Sequence, residues 1–412
     1  MKKRVVITGL GTLNPVGKSV EESWDSLLAG KSGIDLIQSD YDYSTFPTRI
    51  AGQVKDFNPQ EYGISVKDAR KMARFIQFAI AAAKEAVEDS GLDIEKDQND
   101  IGVAIGSGIG GIDILELQAR NLAEKGVRRV SPFTVPMMIA NMAAGLVAIE
   151  FKAKGPNFCT VTACASGTHS IGDAYKLIQE GSALAMIAGG AEAAVTPLGM
   201  SGFCAAKSLS TNNEEPQKAS RPFDKARTGF VMGEGAGILI MEEYEHAKKR
   251  GAKIYSEVIG YGLSGDAHHM TAPPVGGEGA ARAIKMALAD ADIKTSEVDY
   301  INAHGTSTVL NDREETRAIK SVFGADAKNL MVSSTKSMTG HLLGAAGAIE
   351  CVFLSKALET GDIPPTINYE TPEEEMDLNY VPNKAIHKDI SVGMSNSFGF
   401  GGHNAVLVFK KV

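Results

Sequence analysis

The sequence contains few cysteines, only four among 412 residues: Cys159, Cys164, Cys204 and Cys351. They form no CxxC pair and are too sparse for a disulfide scaffold, which indicates a reducing compartment and predicts a cytoplasmic location. The sequence also offers no set of cysteines and histidines with the spacing of a zinc site, so no metal is expected.

A long hydrophobic run is also missing. The longest uncharged stretch, residues 130–149, has the length of a membrane span, but Pro132, Pro136 and Asn141 interrupt it. Acidic residues outnumber basic ones, and the net charge of −8 argues against general nucleic-acid binding. The sequence therefore predicts neither a membrane segment nor a nucleic-acid partner.

Signals for nucleotide binding are weak. The phosphate-binding pattern GxxxxGK[ST] does not occur. The stretch Gly106-Ser-Gly108-Ile-Gly-Gly111 satisfies GxGxxG after a predicted strand, but it does not lie in the first strand–helix unit, and no acidic residue ends a second strand in support. No bound cofactor is expected.

What the sequence does contain is typical of an α/β protein. Short β-branched runs alternate with amphipathic helical stretches, which favours parallel sheets covered by helices. The clearest helix is predicted from Lys67 to Ser90, where Gly91 would end it. The predicted strands lie at residues 5–8, 101–105, 183–188, 298–303, 331–334 and 390–394.

The two halves of the sequence resemble each other. The small residues after His341 resemble those after Cys164, 177 positions earlier, and a buried strand follows in each case. We therefore predict two homologous halves, residues 1–255 and 256–412, whose special turns meet at one centre.

Cys164 is the candidate nucleophile. It lies where a β-branched run changes into small, helix-compatible residues, and a thiol at a helix N-terminus is stabilised as thiolate. A buried structural cysteine is the simpler alternative for this residue taken alone.

Three further motifs follow predicted strands or the turns after them. They are Asn302-Ala-His304-Gly-Thr306-Ser-Thr308, Lys336-Ser-Met-Thr-Gly-His341 and Phe398-Gly-Phe400-Gly-Gly402. A turn histidine, an exposed lysine or core aromatics would explain each one separately. Open α/β sheets build their sites at the carboxyl ends of strands, so the motifs together with Cys164 indicate an active site.

Basic residues form a possible docking surface. Lys67, Arg70, Lys71 and Arg74 are spaced i, i+3, i+4, i+7 on the predicted helix, and Arg128, Arg129 and Lys207 add positive charge elsewhere. Solubility and the binding of an acidic partner explain these residues equally well.

Taken together, these motifs resemble the elongating β-ketoacyl-[acyl-carrier-protein] synthases over essentially the whole chain. The resemblance also includes Gly189-Gly-Ala-Glu192, Ser220-Arg-Pro-Phe-Asp224 and Ser333-Ser-Thr-Lys336. It implies a thiolase-like α/β fold with two duplicated halves in a five-layer αβαβα arrangement, working as a homodimer.

The resemblance implies a decarboxylative condensation. Cys164 would carry the acyl group as a thioester, while His304 and His341 would bind the malonyl thioester carbonyl. Both substrates would arrive on acyl carrier protein, and no metal or cofactor would be needed. A polyketide ketosynthase and a non-catalytic subunit that sets chain length remain as alternatives, although such subunits typically lack the cysteine.

The resemblance also implies roles around these groups. The N–H groups of Cys164 and Phe400 would form an oxyanion hole, and Phe400 would gate the acyl chain. Lys336 with Glu350 would set the electrostatics of the site, and Asp312 with Glu315 would support the loop that carries His304. Thr306, Thr308 and Phe398 would contact the pantetheine arm or the substrate. Ile109 and Phe203 would line the acyl pocket. The basic residues would dock acyl carrier protein. One departure is Val309, which stands where the family usually has proline.

Overall fold

The computed structural model describes residues 2–412. Its strands are β1 Val5–Leu13, β2 Ile34–Leu36, β3 Ile50–Gly52, β4 Ile101–Gly106, β5 Asn157–Phe158, β6 Ala185–Glu192, β7 Gly235–Glu243, β8 Ser256–Gly265, β9 Tyr300–Asn302, β10 Met331–Ser333, β11 Asp362–Ile363, β12 Ile386–His387, β13 Val392–Gly399 and β14 His403–Lys410. Its helices are α1 Val20–Leu28, α2 Val66–Ala69, α3 Arg74–Ser90, α4 Ile112–Lys125, α5 Thr134–Met138, α6 Met142–Phe151, α7 Ser166–Glu180, α8 Pro197–Ala205, α9 Tyr244–Lys249, α10 Glu278–Ala291, α11 Val309–Phe323, α12 Lys336–Thr339 and α13 Ala346–Thr360. No helix in the described part of the chain is both long and apolar enough to cross a membrane.

Two sets of five strands have the same order. The first set runs β5-β4-β6-β7-β1 and the second β10-β9-β13-β14-β8. In each set the first three strands are parallel and the last two are added antiparallel. A short antiparallel ladder between β1 and β8 joins the two sets. The duplication predicted from the sequence is confirmed by this topology. The predicted boundary between the halves, after residue 255, falls at the start of β8 and stays a prediction.

Helices α7 and α13 lie between the two sets of strands. Their apolar side chains, such as Ile171 and Phe353, share one core with Leu239 of β7 and Leu407 of β14. Helices α3 and α6 cover the outer face of the first set, and α10 and α11 cover that of the second. These layers give the expected αβαβα arrangement.

Strand β7 shows why the strands read as continuous apolar runs. Successive side chains of a strand point to opposite faces of the sheet. Ile238 and Ile240 pack in the outer core, whereas Leu239 and Met241 pack in the central one. Because helices cover both faces, both sets of positions must be apolar.

The prediction of a single helix from Lys67 to Ser90 is wrong. Helix α2 ends at Ala69, and α3 begins only at Arg74. Ala73 between them is extended, with φ −65° and ψ 159°, and the N–H of Arg74 bonds the Asp113 carboxylate at 3.3 Å. This tertiary bond occupies an N–H at the start of α3, so the chain turns where the apolar periodicity alone would continue.

The turns before α7 and α13 are equivalent. Each is a three-residue 3₁₀ turn, and each contains a non-glycine residue in the left-handed region, Ala163 with φ 51° and Leu343 with φ 48°. The spacing between equivalent positions is 180 residues rather than 177, since Ser166 begins one helix and Ala346 the other. The counterpart of Cys164 is therefore Gly344, where a Cβ atom would lie only 2.2 Å from the Gly108 nitrogen.

Candidate active site

A cavity of about 500 Å³ lies where the two halves meet. The carboxyl end of β9, the turn before α7 and the segment between α12 and α13 supply the polar groups of His304, Cys164 and His341. Ile109 and Phe203 add apolar walls. Of the residues predicted for the site, the cavity is lined by Ile109, Cys164, Phe203, Lys207, His304, Thr306, Thr308, Glu315, His341, Phe398 and Phe400.

Cys164 lies in the 3₁₀ turn at the N-terminus of α7 and is 8% exposed. Burial raises the pKa of its thiol to about 11, although the Phe400 N–H and the Lys336 charge act in the opposite direction. The thiolate expected from the position of Cys164 at a helix N-terminus is therefore not the resting form. Desolvation outweighs the Phe400 hydrogen bond and the Lys336 charge at this site.

His304 and His341 lie beside this thiol. One side-chain donor atom from each of the three residues falls within 4.8 Å of the other two. The imidazole centroids are 5.2 Å apart with nearly perpendicular planes. Cysteine and histidine are also zinc ligands, so this geometry alone would admit a metal. The expectation of a metal-free site rests on the spacing of these residues in the sequence and on the family resemblance.

Both imidazoles are neutral. Burial, followed by the charge of Lys336, holds the pKa of His304 and of His341 well below the usual range. The Nδ1 atom of each ring is buried without a hydrogen-bond partner. An unpaired buried donor is rarer than an unpaired acceptor, so the geometry favours the tautomer that carries its proton on Nε2, the nitrogen left to face the cavity.

Lys336, whose charge lowers the pKa of both histidines, forms an ion pair with Glu350. Lys336 comes from α12, and Glu350 from α13. Burial raises the pKa of Glu350 to about 7, and the lysine charge and hydrogen bond counter this shift. Oε2 of Glu350 has no partner among the described residues.

The loop that carries His304 is held by two buried carboxylates. Glu315 accepts hydrogen bonds from the N–H groups of His304 and Gly305 at 2.8 and 2.7 Å. Asp312 accepts from the N–H of Ser307 at 3.2 Å and from Phe223 at 2.9 Å. Both acids lie on α11, so this helix fixes the loop that precedes it.

Two threonines present hydroxyl groups at the same loop. The hydroxyls of Thr306 and Thr308 lie 3.0 Å apart, and both residues line the cavity. Thr308 is the N-cap of α11, with φ −92° and ψ 149°, and its hydroxyl accepts from the Asn311 N–H. Val309, in place of the usual proline, is the first residue of α11.

Aromatic side chains close the other side of the cavity. The ring of Phe400 lies 6.4 Å from that of Phe203, which packs edge-on against Phe230 at 5.4 Å. Phe398 packs edge-on against His304 at 5.8 Å. Phe400 is 37% exposed, so it lies at the opening rather than in the core.

Glu192 is a residue of the site to which the sequence analysis assigned no role. Its buried carboxylate accepts from the N–H groups of Gly108 at 2.7 Å, Ile109 at 3.3 Å and Gly344 at 3.0 Å. The glycine-rich loop thus directs its amides at an internal carboxylate, which leaves them unable to bind a phosphate and explains why GxGxxG misleads here. The acid that ends Gly189-Gly-Ala-Glu192 was the available signal.

The seven residues predicted to dock an acidic partner differ in exposure. Lys67, Arg70, Arg128, Arg129 and Lys207 are exposed, and Lys207 reaches the cavity mouth. Lys71 is partly buried over the ring of Phe133, at 5.7 Å. Arg74 does not fit the prediction, because its guanidinium bonds the buried carboxylate of Glu234 and packs over Phe78 at 4.6 Å.

Known proteins resemble this chain along its full length. The family model described as "Beta-ketoacyl synthase, N-terminal domain" matches residues 2–247, and "Beta-ketoacyl synthase, C-terminal domain" matches residues 255–370. The 3-oxoacyl-[acyl-carrier-protein] synthase 2 of Vibrio harveyi is 55% identical over 413 residues, covering 100% of this chain and 99% of the relative. The protein of the same name from Synechocystis sp. is 54% identical, covering 100% and 98%.

Solved structures of ketosynthases share the fold of this chain. A type II polyketide ketosynthase, in complex with its acyl carrier protein, superposes with a TM-score of 0.93 at 38% identity, with both chains fully covered. A β-ketoacyl synthase from Burkholderia phymatum gives 0.92 at 36%, again over both full chains. Sequence models, full-length relatives and fold thus lead to one assignment: the chain belongs to the β-ketoacyl synthase family.

Proposed function

We propose that the protein is an elongating 3-oxoacyl-[acyl-carrier-protein] synthase. It would condense a medium or long acyl chain with malonyl-acyl carrier protein, releasing carbon dioxide and free carrier protein. The observation that carries this proposal is the cluster of Cys164, His304 and His341 around one cavity, with donor atoms within 4.8 Å. The 55% identity to an enzyme named for this activity supports it.

The first step transfers the acyl group to Cys164. Sulfur attacks the acyl thioester carbonyl, the pantetheine sulfur leaves, and the thiol proton departs with it. The Phe400 N–H, which lies against the cysteine sulfur, and the Cys164 N–H would stabilise the oxyanion. The thiol pKa of about 11 means that the proton leaves during the attack rather than before it.

The second step generates the carbanion. Nε2–H groups of His304 and His341 would donate to the malonyl thioester carbonyl while the bond to the carboxylate breaks. Carbon dioxide leaves, and the electron pair becomes an enolate whose carbon attacks the Cys164 thioester and expels the thiolate. Losing one such donor typically costs on the order of a hundredfold or more in rate.

The remaining cavity residues would bind the substrate. The Thr306 and Thr308 hydroxyls would contact the pantetheine arm, and Phe398 would line its path. The acyl chain would pass Phe400 and lie between Ile109 and Phe203. This chemistry requires no metal and no bound cofactor.

Acyl carrier protein would dock on exposed basic residues, of which Lys207 lines the cavity. Lys67 and Arg70 together with Arg128, Arg129 and Lys207 would bind its acidic surface. The double substitution Lys67→Glu with Arg70→Glu should raise KM for carrier-protein substrates and leave small thioesters unaffected. Lys384→Glu, an exposed lysine of the second half, is the control. An unchanged KM would mean that these residues serve solubility alone.

A second copy of the chain would cover an exposed apolar surface. Strand β5 is an edge strand, and contacts link α4 to α5, α5 to α6 and α6 to β5. The exposed apolar residues of this region include Leu117, Leu122, Val127, Val135, Ile149 and Val161. We expect a homodimer in the cytoplasm. Ile149→Asp should shift sedimentation toward the monomer.

The function is tested by supplying the purified chain with acyl- and malonyl-acyl carrier protein. Wild type should form the β-ketoacyl product. Cys164→Ala should lose condensation yet keep some malonyl decarboxylation, and His304→Ala should lose both. Cys351→Ala, a buried cysteine outside the cavity, is the matched control. Normal condensation by Cys164→Ala would refute the mechanism.

The polyketide alternative is less favoured. The polyketide ketosynthase noted above shares 38% identity with this chain, against 55% for the Vibrio harveyi relative. Cys164 also speaks against a non-catalytic subunit.

A further inference from the structure

The loop that carries Thr306 and Thr308 is held from behind by a buried arginine. We propose that Arg227 is a positioning residue that sets these hydroxyls for the pantetheine arm. This inference rests on the proposed function, because it assumes that the arm passes this loop.

Arg227 contacts two consecutive carbonyl groups of the loop. Its Nε donates to the oxygen of Thr308 at 3.0 Å, and its Nη2 donates to that of Val309 at 3.0 Å. A guanidinium is planar and fixes the directions of its N–H groups. Binding both oxygens therefore sets the distance and the orientation of the backbone.

The guanidinium itself is fixed on its other side. Nη1 donates to the backbone oxygen of Asp224 at 2.8 Å and to Oε2 of Glu373 at 2.7 Å. The side chain of Arg227 is only 1% exposed. Because the guanidinium is hydrogen-bonded on both sides, it has little freedom to move, so it can hold the loop backbone in place.

The loop requires such a brace. Ser307 adopts a left-handed conformation with φ 70°, which is strained for a residue with a side chain. Val309 lacks the ring that would fix φ in a proline. The N–H groups of the loop are already held by Glu315 and Asp312, so Arg227 restrains the carbonyl side that these acids leave free.

Arg227 does not touch the substrate. Thr306, Thr308 and Val309 line the cavity, whereas Arg227 is not among the lining residues. Its effect would therefore pass through the hydroxyl positions. Misplacement of a binding group by about 1 Å can cost on the order of a hundredfold in rate.

The test compares substrates with and without the arm. For Arg227→Lys we expect KM for malonyl-acyl carrier protein to rise about tenfold, while decarboxylation of an S-methyl malonyl thioester, which lacks the arm, changes less than about twofold. Arg313→Lys is the matched control, since Arg313 bonds the same Glu373 without touching the loop. Backbone hydrogen exchange at residues 304–311 should become faster in Arg227→Lys and stay unchanged in Arg313→Lys.

A second substitution tests the mechanism. Adding Val309→Pro to Arg227→Lys should restore much of the lost affinity, because the ring restrains the same backbone independently. If Arg227→Lys fails to fold, Glu373→Gln, which loosens the arginine from a partly exposed site, should give a smaller loss of the same kind.

The outcomes separate two failures. The first failure concerns the positioning role alone. That role would be overturned if the wild type were active but Arg227→Lys lost activity equally on the carrier-protein substrate and on the small thioester, with unchanged hydrogen exchange in the loop. A wild type that processed neither substrate would overturn the proposed function, whereas the exchange experiment would still report whether Arg227 restrains the loop.

Discussion

Lys336 and Glu350 form an ion pair whose side chains are 1% and 0% exposed. Removing two charges from water costs so much that a buried pair adds little net stability. Its charge nevertheless reaches the reaction centre, because Lys336 lowers the pKa of both His304 and His341. Burial is the larger cause of both shifts, so we infer that the pair strengthens, rather than creates, the preference of the two imidazoles for the neutral form.

Lys336→Met tests this electrostatic role. The pKa of each histidine should rise yet stay below its usual value, because burial, the larger cause, remains. Unfolding free energy should fall by about 3–5 kcal/mol, since Glu350 is left buried and unpaired. NMR titration of the histidines and urea denaturation measure the two effects.

Lys356→Met is the matched control for that experiment. Lys356 is a largely buried lysine of α13 that pairs with Glu359 and Glu21. Its loss should lower stability without moving the histidine titrations. Identical histidine pKa values in Lys336→Met and wild type would contradict the role assigned to the pair.

The raised pKa of Cys164 predicts how its alkylation depends on pH. With a pKa of about 11, only about one thiol in ten thousand is ionised at pH 7. The rate with iodoacetamide should therefore rise about tenfold per pH unit from 7 to 10. Mass spectrometry can follow Cys164 separately from the other cysteines. A rate that levels off below pH 8 would show that the helix N-terminus wins over burial.

The sequence predicted the duplicated architecture and the candidates Cys164, His304 and His341 because both depend on local pattern, whereas the cavity positions of Ile109 and Phe203 followed only from the family resemblance. Strands with helices on both faces must be apolar throughout, so their positions are visible in the sequence. Cys164, His304 and His341 follow strands or their turns, where α/β proteins place reactive groups. Their proximity then follows from the symmetry of the two halves.

Other features depend on contacts that the sequence does not show. The break between α2 and α3 arises where Arg74 meets Asp113 and Glu234, far away in the chain. The protonation state of Cys164 depends on how completely the fold removes water from the thiol. Glu192 acts across the two halves, so no local motif reveals which amides it binds.

The buried carboxyl group of Glu85 should make the folded protein more stable at acidic pH than at neutral pH. Burial raises its pKa to about 7, although the N–H groups of Val20 and Thr12 bond its carboxylate. The folded state therefore binds this proton more tightly than the unfolded chain does, with a pKa near 4.5. Stability from this group is present below pH 4.5 and is lost as pH rises to about 7, by up to about 3 kcal/mol.

Glu85→Gln provides the comparison, since an amide does not titrate. The difference in unfolding free energy between wild type and Glu85→Gln should decline between pH 4.5 and 7.5, measured by urea denaturation at several pH values. Two parallel stability curves would refute the shift.

Val309→Pro should stabilise the protein. Val309 is the first residue of α11, where a helix leaves its N–H unpaired and proline fits well. Thr308 before it is extended, which is the conformation that a following proline requires. The ring would reduce the freedom of the unfolded chain and raise the unfolding free energy by about 0.4–1 kcal/mol.

Leu310→Pro, one residue further, is the contrasting variant. It would require Val309, already helical, to precede a proline, which disfavours the helical conformation. Urea denaturation should therefore rank Val309→Pro above wild type and Leu310→Pro below it. A less stable Val309→Pro would mean that the backbone at this position departs from the geometry of a proline-compatible first turn, and the rescue expected for Arg227→Lys would fail with it.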